Sequence, residues 1–301
     1  MSEAPVIEVN AIVTRFDAQT VHDGVSFTVP RGQIAALIGG SGSGKTVLLR
    51  EIIGLHRPNS GRVRLLGTDV WSAPEEELAA LRQRFGMLFQ DGALFSSLTV
   101  AQNVATPLIE HARVPAHLLG PLVRLRIALA GLPVDAATKM PSELSGGMRK
   151  RAAVARALAL EPEVLFLDEP TTGLDPKARR DLWSVIEGFR REGRTVFLTT
   201  HYLDEADALS DRLYIVEEGR VLAQGTAEEL KRQVGGTVRV SVKDGGSIRE
   251  QMGTFGPVVS EDGTIHVVTG PERVGELVEI AMRRGLSATV GPVSLEEAFL
   301  R

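Results

Sequence analysis

The sequence predicts an α/β fold built on a parallel sheet, followed by a small α+β domain. Three short apolar runs, 33–38, 164–167 and 195–199, have the length of buried strands and are separated by segments with helical patterns. Strands that alternate with helices indicate a parallel sheet. The C-terminal part instead has short elements in the order βαββαβ, which is typical of a ferredoxin-like domain. We therefore predict one domain at residues 1–229 and a smaller accessory domain at residues 230–301.

The composition excludes several classes of protein. The chain has 301 residues, a formal net charge of −4 and no cysteine, so it shows neither the basic surface of a nucleic-acid-binding protein nor the residues for disulfides. No apolar run approaches the ~20 residues of a membrane span, and the start of the chain lacks the pattern of a signal peptide. We expect a cytoplasmic protein that does not bind nucleic acid, with any membrane role depending on a partner.

The first elements predict a small antiparallel sheet, followed by two further strands with a helix between them. Apolar and polar residues alternate between positions 6 and 29, with Phe16 in the turn between two strands. A further strand is expected at 61–66 and an acidic-start helix at 74–84. The apolar run 85–89 predicts a strand that ends at Gln90.

A helical subdomain is expected at about residues 91–160. Five prolines are expected to break its helices: Pro107, Pro115, Pro121, Pro133 and Pro141. Several apolar side chains are expected on the inner faces of these helices: Leu118, Leu119, Leu122, Leu125, Ile127 and Leu129.

A glycine-rich segment between a predicted strand and a predicted helix is the strongest motif of the chain. It reads Gly39-Gly40-Ser41-Gly42-Ser43-Gly44-Lys45-Thr46. This segment fits G-x-x-x-x-G-K-[ST], the phosphate-binding P-loop. Glycine is needed because backbone N–H groups wrap around phosphate at a helix N-terminus. Lys45 would reach the β- and γ-phosphates, and the Thr46 hydroxyl would ligate Mg²⁺. A plain flexible Gly/Ser turn is the weaker interpretation. The motif therefore predicts a P-loop NTPase with a RecA-like parallel sheet.

Polar groups follow two other predicted strands at their carboxyl ends, where open α/β sheets bind ligands. Asp168 ends one apolar strand and suits a carboxylate that orders Mg²⁺, while Glu169 could polarise an attacking water as a general base. His201 follows the strand at 195–199. A lone histidine is more often structural, and an Asp-Glu pair is often a solvated turn. Here both follow a P-loop in the sequence, which favours a functional role.

A second anion-binding loop is expected at residues 144–148, Leu-Ser-Gly-Gly-Met, which precede a basic helix at 149–160. Serine, two glycines and a helix start provide free N–H groups and the positive end of a helix dipole. A simple helix cap with a glycine turn is the alternative.

Taken together, these motifs make residues 6–229 resemble the ATP-binding subunits of ABC transporters. Residues 39–46 resemble the Walker A motif, 164–169 the Walker B motif with its catalytic glutamate, and 144–148 the signature motif, with Met148 where glutamine is commoner. Residues 172–175 are similar to the D-loop.

The resemblance implies roles for individual residues. Phe16 would stack on adenine, Gln90 would sense Mg²⁺ and the partner subunit, and His201 would contact the γ-phosphate. The implied catalytic residues are Glu169, His201 and Gln90. The implied Mg²⁺ ligands are Thr46, Gln90 and Asp168. The implied ATP-binding residues are Phe16, Gly39, Gly40, Ser41, Gly42, Ser43, Gly44, Lys45, Thr46, Ser145, Gly146, Gly147 and Asp175.

The resemblance also implies partners, because in this family each ATP lies between the Walker A motif of one subunit and the signature of the other. A single copy of each motif implies a homodimer with two composite sites. An integral-membrane permease would convert the opening and closing of this dimer into transport. The chain would therefore bind peripherally to the inner face of the plasma membrane.

Different segments of the chain resemble transporters of different substrates. Residues 89–100 and 141–151 are similar to ATPases of lipid-asymmetry (MCE-associated) transporters, whereas 171–176, 198–207 and 294–300 resemble daunorubicin-type drug exporters. We expect a lipid-like substrate, because the segment after Gln90 normally meets the membrane subunit, and a periplasmic or MCE-type lipid-binding protein as a further partner. The alternative is an exporter of drugs or hydrophobic compounds. Distant alternatives are a non-transport ABC ATPase and a nucleotide-binding regulatory module without turnover.

Overall fold

The computed structural model describes residues 4–17, 19–112, 114–233, 238–261 and 263–292. The exporter-like segment 294–300 lies outside the described residues. None of the described helices is long and apolar enough to cross a membrane.

The chain divides into two compact units. The first contains Met1–Tyr202 and Leu209–Ala223, and the second contains Leu203–Ala208 and Gln224–Arg301. The second unit thus takes in the short segment Leu203–Ala208, which lies within the range predicted for the first domain.

A six-stranded sheet forms the centre of the first unit, in the order β10-β9-β3-β8-β7-β6. Its strands are β3 Ile34–Ile38, β6 Phe85–Leu88, β7 Val164–Asp168, β8 Thr195–Thr200, β9 Arg212–Glu217 and β10 Arg220–Gly225. The pairs β3–β8, β3–β9, β6–β7 and β7–β8 are parallel. Every residue of β3, β7 and β8 is buried, which is why these strands are continuous apolar runs in the sequence. The predicted parallel α/β sheet is confirmed.

A second, antiparallel sheet has the order β2-β1-β4-β5. Its strands are β1 Ile7–Phe16, β2 Gln19–Val29, β4 Ser60–Leu65 and β5 Thr68–Asp69. Its apolar face and the large sheet share one hydrophobic core. Within that core the Phe27 ring lies 5.9 Å from the Phe197 ring and 4.7 Å from the Tyr214 ring, centroid to centroid. The helices α1 Lys45–Ile52 and α2 Glu75–Arg82 follow β3 and β5.

The predicted helical segment contains α3 Val100–His111, α4 Ala116–Leu129 and α5 Gly146–Ala157, with 3₁₀ turns at Val134–Thr138 and Pro141–Glu143. Two expectations for it are wrong. Pro107 lies inside α3 and Pro121 lies inside α4, and neither proline ends its helix. Each proline costs its helix one backbone hydrogen bond. The helices nevertheless continue, because α3 packs against both α4 and α5.

The expected inner face of α4 is also only partly buried. Ile127 is buried, but Leu118, Leu125 and Leu129 are 44%, 48% and 47% exposed. The buried positions include Val123 and Arg126 instead. The near-continuous apolar composition of this helix obscured which side faces the core, because periodicity identifies a face only where polar residues mark the other side.

The remaining helices of the chain are α6 Pro176–Arg191, α7 Leu203–Leu209, α8 Ala227–Gln233, α9 Arg249–Met252 and α10 Val274–Arg283. The C-terminal sheet contains β11 Val238–Lys243, β12 Val258–Glu261, β13 Thr264–Thr269 and β14 Ala288–Pro292, in the order β12-β13-β11-β14. This is the ferredoxin-like arrangement of a βαββαβ chain, as predicted. Leu277 and Ala281 of α10 pack with Val240 and Val267 in a separate apolar core.

Candidate active site

The glycine-rich loop connects the end of β3 to the first turn of α1. Gly44 is the residue before α1 and has φ +90°, a left-handed conformation that strains any side chain. Gly39 is required for a different reason, since a Cβ there would lie 2.5 Å from both the Ser43 hydroxyl and the Val216 carbonyl oxygen. The loop therefore leads directly into the N-terminus of α1, where backbone N–H groups favour an anion.

The Lys45 side chain folds over this loop. Its ammonium donates to the carbonyl oxygens of Gly39 and Gly40 at 2.8 and 2.9 Å, and lies 3.8 Å from Glu169 Oε1. Burial lowers the pKa of Lys45, against the opposing effect of the carboxylates of Glu169 and Asp168. The ammonium thus sits in a partly dehydrated site where additional negative charge would stabilise it.

Asp168 and Thr46 face each other across the end of the sheet. Asp168 is buried at the end of β7, and its Oδ1 accepts from the Thr46 hydroxyl at 3.1 Å and from the Thr199 hydroxyl at 2.6 Å. The Thr199 bond orients the carboxylate from the neighbouring strand β8. Asp168 and Thr46 therefore present two oxygen atoms side by side next to the phosphate loop.

Glu169 has an unusual backbone conformation for a non-glycine residue, with φ +46°. Its N–H donates to Thr199 O at 3.1 Å, and its own carbonyl accepts from Lys150 Nζ at 2.7 Å. Strained backbone of this kind persists only where the surroundings hold it, and it is common at functional sites.

Side chains from several parts of the site contact the Glu169 carboxylate. Oε1 lies 3.4 Å from His201 Nδ1, and Oε2 accepts from Gln90 Nε2 and from the Thr172 hydroxyl, each at 3.3 Å. Three segments that are far apart in the sequence thus converge on one carboxylate.

These groups border a cavity of about 530 Å³. Its lining residues are Phe16, Val21, Ser41, Gly42, Ser43, Gly44, Lys45, Thr46, Val47, Gln90, Glu169 and His201. Phe16 is 44% exposed and stacks on the His56 ring with centroids 5.0 Å apart. An exposed aromatic ring at one end and a phosphate loop at the other suit a ligand with a flat base and an anionic tail.

Two predicted ATP-binding segments lie outside this cavity. Ser145 is the N-cap of α5, and its hydroxyl accepts from the Met148 N–H at 3.3 Å. Asp175 caps α6, accepting from the N–H groups of Lys177 and Ala178 at 2.9 Å; these hydrogen bonds hold the pKa of Asp175 below its usual range. Neither Ser145, Gly146, Gly147 nor Asp175 lines the cavity around the P-loop.

The site also uses residues that were not predicted as site residues, although Thr172 belongs to the D-loop-like segment. Lys150, Thr172 and Thr199 hold the backbone or carboxylate of Glu169 and Asp168, and His56 supports the ring of Phe16. The sequence carried no signal for Lys150 or His56, because the contacts depend on how separate elements pack. Thr199 is the exception, since it lies at the carboxyl end of a predicted strand.

The fold and this cavity define a P-loop nucleotide-binding protein with a carboxylate beside the phosphate loop. Residues 22–172 match the ABC transporter family, and the chain belongs to that family. It is an ATP-binding subunit of the ABC transporter type and an ATPase.

Among curated proteins, the chain is 38% identical over 226 residues to the intermembrane phospholipid transport system ATP-binding protein MlaF of Haemophilus influenzae, covering 75% of this chain and 85% of MlaF. It is 35% identical over 305 residues to the Nod factor export ATP-binding protein I of Burkholderia pseudomallei, covering 100% of this chain and 97% of that protein. A third relative, the probable ribonucleotide transport ATP-binding protein mkl of Mycobacterium tuberculosis, is 38% identical over 62% of its own length.

Among solved structures, the chain resembles the dimeric ATP-binding cassette MJ0796 in a post-hydrolysis state bound to ADP and Pi. The TM-score is 0.69 at 26% identity, covering 73% of this chain and 98% of that one. It also resembles cbiO1 from Clostridium perfringens, part of the ABC transporter complex cbiONQ, with a TM-score of 0.68, 29% identity and coverage of 77% and 95%.

Proposed function

We propose that this chain couples ATP binding and hydrolysis at a dimer interface to the movement of a lipid-like substrate by a membrane permease. The observation that carries the proposal is the convergence of Lys45, Gln90 and His201 on the Glu169 carboxylate beside the phosphate loop. A nucleotide triphosphate whose phosphates enter that loop would place its γ-phosphate next to this carboxylate.

Each group has a proposed role in hydrolysis. Phe16 stacks on adenine, and the loop from Gly39 to Thr46 binds the phosphates through backbone N–H groups and Lys45. Glu169 orients and polarises the attacking water, His201 contacts the γ-phosphate, and Gln90 responds to Mg²⁺ and to the partner subunit. The strained backbone of Glu169 fixes its carboxylate without a cost of reorganisation during the reaction.

Mg²⁺ is the metal that the donor atoms fit. Among the described residues, no group of three or more His, Cys, Asp or Glu side chains is arranged to hold a metal ion. The described part of the site therefore does not supply a complete set of metal ligands from carboxylates or imidazoles. Thr46 and Asp168 instead supply adjacent oxygen atoms, which suits an ion that takes few protein ligands and completes its shell with phosphate and water. We propose Thr46, Asp168 and Gln90 as its ligands. When bound, Mg²⁺ neutralises charge on the phosphates.

A second copy of the chain completes each site in this proposal. Ser145, Gly146 and Gly147 form the N-terminus of α5 outside the cavity that contains the P-loop, so we propose that they bind the γ-phosphate held by the partner, with Asp175 at the same interface. Hydrolysis removes that phosphate contact and lets the subunits separate, which moves the permease.

The lipid-like substrate is proposed because MlaF is named for intermembrane phospholipid transport and its match covers 75% of this chain. An MCE-type lipid-binding protein is the corresponding further partner. We place the chain on the cytoplasmic face of the membrane, with residues 1–229 as the ATPase domain and 230–301 as an accessory domain.

Export of a hydrophobic compound is the second candidate. It is favoured by one observation: the match to the Nod factor export protein spans the whole chain, including the C-terminal unit. Reconstitution in vesicles with the permease that co-purifies with this chain separates the candidates. ATPase stimulation by phospholipid supports the first, and stimulation only by added hydrophobic compounds supports the second.

The Lys45→Ala variant tests the nucleotide site itself. We expect loss of ATP binding and turnover with an unchanged circular dichroism spectrum, because the ammonium is the only side-chain cation that we assign to the phosphates. Tight ATP binding with normal turnover in the folded variant would contradict the assignment. Lys139→Ala, on the exposed end of a 3₁₀ turn, is the matched control.

A further inference from the structure

Three buried polar side chains lie beside the phosphate loop and take no part in the mechanism described above. Thr14 comes from β1, His22 from β2 and Glu51 from α1, and all three are 0% exposed. Burying an ionisable pair at this depth is costly unless the charges and hydrogen bonds are matched.

The three side chains form a chain of contacts that ends on the loop. The Thr14 hydroxyl donates to Glu51 Oε1 at 2.5 Å, and His22 Nδ1 lies 3.0 Å from that hydroxyl oxygen and 3.2 Å from Glu51 Oε2. On the other side of the ring, His22 Nε2 lies 3.2 Å from the carbonyl oxygen of Gly44.

Counting hydrogens identifies the donor on the loop side of the ring. The Gly44 carbonyl can only accept, so Nε2 carries a hydrogen. On the other side of the ring, Nδ1 faces the Thr14 hydroxyl and Glu51 Oε2. Glu51 Oε2 is buried and has no hydrogen bond, so the polar edge of the His22 ring lies against it.

We propose that His22 is a positioning residue for the phosphate loop, a ring that Glu51 and Thr14 hold in place and whose Nε2–H donates to the Gly44 carbonyl. The proposal rests on the proposed function, in which this loop binds ATP. Gly44 makes the left-handed turn that precedes Lys45 and Thr46, so fixing its carbonyl fixes the start of α1. The ring packs tightly there, since a Cβ on Gly44 would lie 2.6 Å from Nε2.

This role concerns nucleotide affinity rather than the chemical step. His22 does not line the cavity, and the hydrogen bonds of its ring go to Thr14 and Gly44 rather than to Glu169 or His201. Loosening the loop would weaken phosphate binding while leaving the arrangement around Glu169 in place.

The double variant His22→Leu/Glu51→Leu tests the proposal in the full-length protein. Replacing both partners avoids an isolated buried charge, and such replacements are often neutral for stability. We expect the Kd for ATP to rise by about fivefold, the effect of one lost hydrogen bond, with kcat at saturating ATP within about twofold of wild type because the chemical groups are intact. A Kd equal to that of wild type in the folded variant would overturn the proposal.

His266→Leu is the matched control. His266 is also paired with a hydroxyl, with Nδ1 2.8 Å from Ser241 Oγ, but in the C-terminal sheet, and its loss leaves ATP affinity unchanged. A purely structural role for His22 would lower the melting temperature without moving the Kd. If wild type itself fails to bind ATP, the proposed function fails, which is a separate outcome.

The ring nitrogens of the wild-type protein provide a second test. In ¹⁵N-labelled protein at neutral pH, the His22 signals are identified among the 6 histidines by their loss in His22→Asn. We expect His22 Nε2 at the chemical shift of a protonated nitrogen. An unprotonated Nε2 would overturn the proposed donation to the Gly44 carbonyl.

Discussion

The Lys150 ammonium donates to the main-chain carbonyl oxygen of Glu169 at 2.7 Å. Lys150 lies on α5, the helix that begins at the signature serine Ser145, and its side chain is buried. The helix proposed to bind the partner's nucleotide therefore also holds the backbone of the carboxylate proposed to act on the subunit's own nucleotide.

Lys150→Met is expected to lower kcat by about tenfold with little change in the KM for ATP, because the strained Glu169 backbone loses the bond that fixes it while the phosphate loop is untouched. Steady-state ATPase assays at saturating ATP measure this. Lys139→Met, which removes an exposed lysine, serves as the control. An unchanged kcat in Lys150→Met would show that this bond does not position Glu169.

The sequence predicted which motif residues lie together at the sheet edge better than it predicted the groups that contact them. Lys45, Asp168 and Glu169 belong to local motifs at strand ends, so the parallel sheet that the sequence also predicted brings them to one edge. Lys150 and His22 contact the site across elements, and no local spacing reports such contacts.

The helical segment was predicted less well for a related reason. Leu118 and Leu125 are exposed although they are apolar, and Pro121 lies inside its helix. Burial there depends on which neighbouring helices pack against α4, which the composition of a single helix does not determine.

Tyr214 makes the fold sensitive to alkaline pH. Its hydroxyl donates to Thr28 O at 2.5 Å, and burial raises the pKa of Tyr214 to about 12. Since the unfolded chain ionises near pH 10, this stabilisation is complete below pH 10 and is lost as pH rises toward 12, by about 2–3 kcal/mol in total. Urea unfolding of wild type and Tyr214→Phe across this range measures it. A wild-type advantage that stays constant with pH would contradict the account.

The C-terminal unit is expected to support coupling rather than ATP binding. Residues 1–229 contain Phe16, Lys45 and Asp168, so this truncation should keep its ATP affinity while dimerisation or transport weakens. The truncation also deletes Lys231, whose ammonium contacts both Asp207 carboxylate oxygens at 2.8 Å within the second unit.

Lys231→Met in the full chain is therefore the companion variant, because it separates loss of that ion pair from loss of the domain. Isothermal titration gives ATP affinity, light scattering gives the dimer fraction, and vesicle assays give transport. Loss of ATP affinity in a folded truncation would contradict this division of roles. Dimerisation and transport that are both unchanged in the truncation would also contradict it.

Glu169→Gln tests the central claim, that Glu169 acts on an ATP enclosed between two copies of the chain. The amide keeps the shape of the carboxylate but cannot polarise water as a base. Multi-angle light scattering of this variant with Mg-ATP, together with the ATP content of the eluted protein, is the most direct measurement. We predict a stable dimer that retains ATP and hydrolyses it at least about 100-fold more slowly than wild type, in the range expected for loss of a general base. A monomer under these conditions, or turnover near the wild-type rate, would contradict the account.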